Sequence, residues 1–132
     1  MHKRGFFIAA RVLISSVFVG LGLESLLTAA GVLGRGSEPA STGALAFGIF
    51  ELIAGLLVML GWQLRWVAGL LAIFLLVDAF IAHAFWRYPT AEQHGQLLHF
   101  LKNMSIVGGF LLLAYVDGRQ TLGEASQSAG GN

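Results

Sequence analysis

The chain has 132 residues, of which 56% are hydrophobic and 11% charged, with a formal net charge of +1 and a mean hydropathy of +0.75. That length fits one domain, and that composition excludes an ordinary soluble globule in favour of an integral membrane protein. The absence of cysteine excludes a disulfide framework, a thiolate zinc site, a cysteine-held iron–sulfur cluster and thiol–disulfide catalysis, and no basic tract suits nucleic acid.

His2-Lys3-Arg4 precede an apolar run over about 6–33. Its basic start and its small-residue end at Thr28-Ala-Ala-Gly31 are shared with secretory signals. The run is nevertheless too long for a signal core, carries Arg11 and Glu24, and reads as a retained first transmembrane helix. Gly, Ser, Thr and Pro dominate 34–43, which marks a loop at one membrane face. A second span covers about 44–62, near the ~20 residues that a bilayer core requires. Gln63-Leu-Arg65 is so short that the third span, about 66–86, must return beside the second.

Pro89 in the polar connection Arg87-Tyr-Pro-Thr-Ala-Glu-Gln-His94 ends that helix. A fourth span follows over about 97–116. The remainder, 119–132, reads as a flexible polar tail because its composition cannot bury a core. Residues 1–118 therefore predict an all-α fold of four transmembrane helices in an antiparallel bundle. Lys3, Arg4, Arg65 and Arg119 fall on one side and Arg35 and Arg87 on the other, so the positive-inside rule places both termini in the cytoplasm. Trp62, Trp66, Trp86 and Tyr88 lie at span ends, where amphipathic rings prefer to sit.

Glu51 interrupts the second span in Gly48-Ile-Phe-Glu51-Leu-Ile-Ala-Gly-Leu-Leu-Val-Met-Leu-Gly61, and Asp78 interrupts the third. A carboxylate at membrane depth costs at least about 2.5 kcal/mol unless it is neutralised, paired or facing a polar cavity. At a rise of about 1.5 Å per residue, Glu24, Glu51, Asp78, His83, Lys102 and Asn103 occupy the outer half of the membrane. A narrow bundle makes such groups neighbours, so they predict one polar cluster, with Arg11 alone near the cytoplasmic side. Ser16, Gly20 and Glu24 recur every fourth residue and predict the packed face of the first helix. Asp78 and His83 are five apart, about 140° around an α-helix, and on that spacing face different neighbours.

Two readings of this cluster stand side by side. In one, Glu51 pairs with Lys102 and Asn103 satisfies its surroundings, so the polar groups only hold the helices in register. In the other they form a ligand or proton site. His83, whose charge changes most easily near neutral pH, stands beside Phe85 and Trp86. Flat apolar walls with a donor and a nearby carboxylate suit a quinone head group or a similar lipophile. A b-type haem would have only His83 and His99 as embedded axial candidates and is disfavoured. His94 and Glu92 read as solvated loop residues, and no metal is expected.

Arg11-Val-Leu-Ile-Ser-Ser-Val-Phe18 with Gly22-Leu-Glu24, the Glu51–Gly61 run, His83-Ala-Phe-Trp86 and Phe100-Leu-Lys-Asn103-Met-Ser-Ile-Val-Gly-Gly-Phe-Leu-Leu-Leu113 together resemble the DoxX family of small bacterial membrane proteins, across all four spans. The resemblance implies a four-helix bundle in the bacterial inner membrane and, from the thiosulfate:quinone oxidoreductase subunit that named the family, a membrane partner of redox or sulfur-transfer enzymes. The recurrent polar positions of the family fall on Arg11, Glu51, His83, Lys102 and Asn103. At Ser25 the chain departs from the lysine that the resemblance implies, so any pairing between that lysine and a helix-two acid is remade here.

The leading expectation is a quinone- or lipophile-binding membrane subunit that serves a redox pathway with a soluble or membrane partner and is not a self-sufficient oxidoreductase. In it Glu51 and His83 exchange protons, Lys102 and Asn103 polarise a carbonyl oxygen, Phe85 and Trp86 wall the site, and Asp78, Glu24 and Arg11 complete it. The rival is a non-catalytic scaffold or assembly factor whose cluster is structural. Membrane lipid and a second copy of the chain are the other expected partners.

Overall fold

The structure, a computed structural model, describes residues 2–33 and 42–129. The described residues are helical and contain no strand: α1 is His2–Ala29, α2 is Thr42–Leu60, α3 is Leu64–Ile81 and α4 is Thr90–Ala129, with a short 3₁₀ turn at Phe85–Arg87 between the last two. Four stretches, Arg4–Ala29, Thr42–Leu60, Leu64–Arg87 and Thr90–Gly123, are long and apolar enough to cross a membrane. Most of the loop expected at 34–43, with Arg35, lies outside the described residues.

The chain divides into two compact units, 1–63 and 64–132. Each is an antiparallel helical hairpin, α1 against α2 in the first and α3 against α4 in the second. Between membrane helices the lipid removes most of the hydrophobic drive, so close packing and polar contacts hold such pairs.

In the first hairpin the approach is made by glycines. A Cβ on Gly22 would come within 2.5 Å of the Leu52 nitrogen and 2.7 Å of the Gly48 oxygen. On Gly48 it would lie 2.6 Å from the Ser25 Cβ, and on Gly55 2.9 Å from Val19 Cγ2. Backbone therefore meets backbone at Gly22. The buried face of α1 carries Ser15, Phe18 and Gly22, whereas Ser16 and Gly20 are exposed and nothing lies within 4 Å of a Cβ placed on Gly20. The four-residue spacing of Ser16, Gly20 and Glu24 is real, but packing follows Ser15, Phe18 and Gly22 instead because Gly22 permits the closer approach.

Both α1 and α2 end on a left-handed glycine. Gly31 has φ +74° and Gly61 φ +79°. In each case the glycine N–H bonds the carbonyl three back, Gly31 to Thr28 and Gly61 to Val58, while the next N–H reaches five back, Val32 to Leu27 and Trp62 to Leu57. These paired bonds satisfy the last carbonyls of each helix. They end α1 at Ala29 and α2 at Leu60, earlier than the apolar runs to 33 and 62 predict.

In the second hairpin α3 buries Leu64, Ala68, Leu71, Ala72, Leu75 and Ala79, a stripe at helical spacing whose alanines admit a close neighbour. Its first turn is held by α4, since the Arg65 N–H donates to Asp117 Oδ2 at 3.2 Å. The third helix ends at Ile81, not at 86. The Tyr88 hydroxyl donates to the Ala82 carbonyl at 2.9 Å and so caps the released end. Pro89 then opens α4, its carbonyl accepting from Glu92 at 2.9 Å and Gln93 at 3.0 Å.

The fourth helix begins at Thr90 and runs 40 residues, about 60 Å at 1.5 Å per residue. It continues through most of the stretch that composition assigned to a tail from 119. No proline interrupts it, and Thr121 and Arg119 bond back one turn, to the Asp117 carbonyl and the Tyr115 hydroxyl.

Candidate functional site

The unwinding of α3 after Ile81 creates the site. On a continuing helix His83 would point away from Asp78. Off the helix end it folds back, and its Nε2 stands 3.7 Å from Asp78 Oδ2. The expectation that these two residues face different neighbours is thus corrected: both belong to one group because the helix stops between them. The same carboxylate oxygen accepts a 2.9 Å hydrogen bond from Asn103 Nδ2 on α4, and the other ring nitrogen of His83, Nδ1, donates to Gln96 Oε1 at 2.8 Å.

Asn103 is 5% exposed and committed to Asp78, so its amide is a fixed part of the frame. His83 and Asp78 keep 26% and 29% of their side-chain surface, enough for a small group to reach them. His99 stacks on His83, with ring centroids 5.0 Å apart and planes at 19°. Lys102 Nζ approaches His99 Nδ1 at 3.4 Å, and Lys102 is exposed.

An aromatic cluster adjoins these groups. Phe100 on α4 meets Phe80, Phe85 and Trp86 edge-on, with centroids at 5.3, 5.7 and 5.9 Å. Phe85 and Trp86 are themselves 5.0 Å apart and nearly perpendicular. Such edge-to-face arrangements suit the ring quadrupoles and fix the turn. Phe85 also lines an open hollow of about 400 Å³ with Thr90, Gln93, His94 and Leu97, a volume within the range of small-molecule sites.

Among the residues singled out in the sequence, Asp78, His83, Phe85, Trp86, Lys102 and Asn103 therefore lie in the α3–α4 hairpin at one end. Glu51, Glu24 and Arg11 lie in the other hairpin. Glu51 is 6% exposed, on the same face of α2 as Gly48 and Gly55, the two glycines that α1 approaches. Arg11 packs its guanidinium over the Gly61 turn and over the Phe7 ring, 5.7 Å from its centroid. Its Nε is buried without a hydrogen-bond partner.

Sequence reading missed Gln96, and gave Phe80 and Phe100 no role. Gln96, Phe100 and Asn103 follow the i, i+4, i+7 spacing of one helical face. That signal was legible only with α4 begun at Thr90; a span begun at 97 hides it. Among the described residues no group of three or more His, Cys, Asp or Glu side chains stands close enough to hold a metal ion.

The comparisons with known proteins agree with this architecture. The chain is 28% identical over 109 residues to inner membrane protein YphA of Escherichia coli (strain K12), an alignment that covers 80% of this chain and 78% of that protein. It is also 29% identical over 115 residues to a Surfeit locus protein 4 homolog of Schizosaccharomyces pombe (strain 972 / ATCC 24843), covering 85% of this chain but only 34% of that protein. No solved structure gives a significant match. The DoxX family profile matches residues 6–84, more than half of the chain. That stretch takes in α1 to α3 with Glu51, Asp78 and His83, and stops short of the Phe100-Leu-Lys-Asn103 segment that also carries the resemblance. With four candidate spans and this match, the chain is a multi-span membrane protein of the DoxX family.

Proposed function

We propose that this DoxX-family protein binds a quinone-type or similar lipophilic head group at the turn between α3 and α4, in a bacterial inner membrane, and serves a redox pathway with a partner protein. The observation that carries the reading is the His83–Asp78 pair. It is an imidazole and a carboxylate 3.7 Å apart, each about a quarter exposed, set beside a wall of four aromatic rings. Proton exchange at a head-group oxygen calls for titratable groups of this kind within hydrogen-bond reach. A flat apolar ring calls for aromatic surfaces beside them. The chain brings no redox group of its own in this reading. His83 and Asp78 orient the head group, Asn103 fixes Asp78, and Glu51 is a second proton-exchanging candidate on the α1–α2 hairpin.

The test is native mass spectrometry on the protein extracted in mild detergent from the membrane in which it is made. The expected result is a retained mass of quinone size, present with the unaltered chain and lost with His83→Ala and with Asp78→Asn. A chain that carries only phospholipid and another protein would replace this reading with the scaffold one, in which the polar network holds the hairpin together and nothing more.

A further inference from the structure

The hydrogen-bond inventory around His83 says which form of a head group the site is built to receive. An imidazole at neutral charge has one N–H and one bare nitrogen, and the neighbours choose between them. Gln96 Oε1, an acceptor, stands 2.8 Å from Nδ1, a full hydrogen bond. Asp78 Oδ2 stands 3.7 Å from Nε2, beyond hydrogen-bond reach, and that oxygen is already supplied by the Asn103 amide at 2.9 Å. The shorter contact decides, so the proton belongs on Nδ1 and Nε2 is left bare.

What a ligand meets at the exposed edge is then a pair of acceptors, His83 Nε2 and the Asp78 carboxylate. Two of the donors nearby are turned toward other partners. Asn103 is buried against Asp78, and Lys102 reaches toward His99 at 3.4 Å. A carbonyl oxygen brought to this edge would face lone pairs, whereas a hydroxyl would find a partner. The geometry points to Gln96 as a positioning residue that holds His83 in its Nδ1–H form, and to a hydroxyl-bearing aromatic head group, a quinol or phenol, as the ligand that Nε2 accepts from. This rests on the lipophile-site reading above and narrows it to the reduced, hydrogen-bond-donating form.

The experiment is nitrogen-15 NMR of the full chain in nanodiscs, labelled on histidine, at alkaline pH where imidazole is neutral. Without ligand, His83 is expected to show a protonated-type Nδ1 and a bare-type Nε2. Gln96→Leu should lose that preference and Gln96→Glu, which keeps an acceptor, should retain it. Retention of the Nδ1–H form in Gln96→Leu, or an Nε2–H form in the unaltered chain, would overturn the assignment whatever binds. The ligand arm uses 1-naphthol against 1-methoxynaphthalene, which has the same rings and no donor. An upfield shift of the Nε2 resonance with 1-naphthol alone is expected. Equal shifts from both compounds would overturn the donor preference while leaving a lipophile site in place. No shift from either compound, nor from 1,4-naphthoquinone, would overturn the lipophile reading and this inference with it.

Discussion

Asp78 is the one acid in α3, within a stretch that is otherwise apolar from Trp66 to Ile81, and its nearest donor is a buried amide from the neighbouring helix at 2.9 Å. Removing that donor leaves a half-buried carboxylate oxygen without its amide partner, and an unpaired group of this kind costs at least as much as the hydrogen bond contributed. Asn103→Leu is therefore expected to destabilise the hairpin by about 1–3 kcal/mol, and Asn103→Asp by at least as much, since it sets a like charge against Asp78. Thermal unfolding in lipid nanodiscs, followed by circular dichroism, checks both; an unchanged midpoint for Asn103→Leu would show that Asp78 finds its partner elsewhere. At this scale the sequence was informative about residue type and poor about pairing. The cost of charge in a membrane singles out Asp78, Glu51 and His83 without a structure. That Asp78 meets His83 depends on where α3 stops, and the sequence does not mark the stop because Ala82, Ala84, Phe85 and Trp86 continue the apolar run around His83 with no glycine or proline among them.

Helix ends carry the same lesson with a clearer physical signal. Gly61 does two things at once: it takes the left-handed conformation that closes α2, and it leaves a notch filled by the Arg11 guanidinium. Arg11 thus brings a cation to the negative end of α2, where the helix dipole favours it. Gly61→Ala pays for both, with about 1–2 kcal/mol of backbone strain and displacement of Arg11, and should lower the unfolding midpoint more than Gly20→Ala, whose Cβ enters open space. Gly22→Val is expected to be worse than either, because its side chain would enter the Leu52 and Gly48 backbone; overpacking of this kind costs roughly 1–3 kcal/mol. Equal tolerance of valine at 20 and 22 in a thermal-shift series would contradict the packing face described here. Four apolar runs made the helices legible from the sequence. Their ends and faces were less so, because glycine at the C′ position and glycine at a helix contact look alike in one dimension.

Across the whole molecule, an even number of spans puts both termini on the same side of the membrane, and the positive-inside rule predicts that side to be the cytoplasm. The length of α4 sharpens the consequence. A bilayer core takes about 20 residues of helix, so a helix of 40 residues must emerge well into water at one or both ends. Its Thr90–His94 segment belongs with the turn that carries Arg87 and Tyr88, and its residues beyond Asp117 belong with Arg65, whose N–H Asp117 accepts. The chain lacks cysteine, so single introduced thiols report without background. Glu92→Cys is expected to react with a membrane-impermeant maleimide added outside intact cells. Ser126→Cys is expected to react only after the cytoplasmic face is opened, as in inside-out vesicles, while Leu112→Cys, in the apolar middle of α4, stays unlabelled from both sides. Labelling of position 126 from outside would invert the orientation, and with it the side of the membrane on which the His83–Asp78 pair lies.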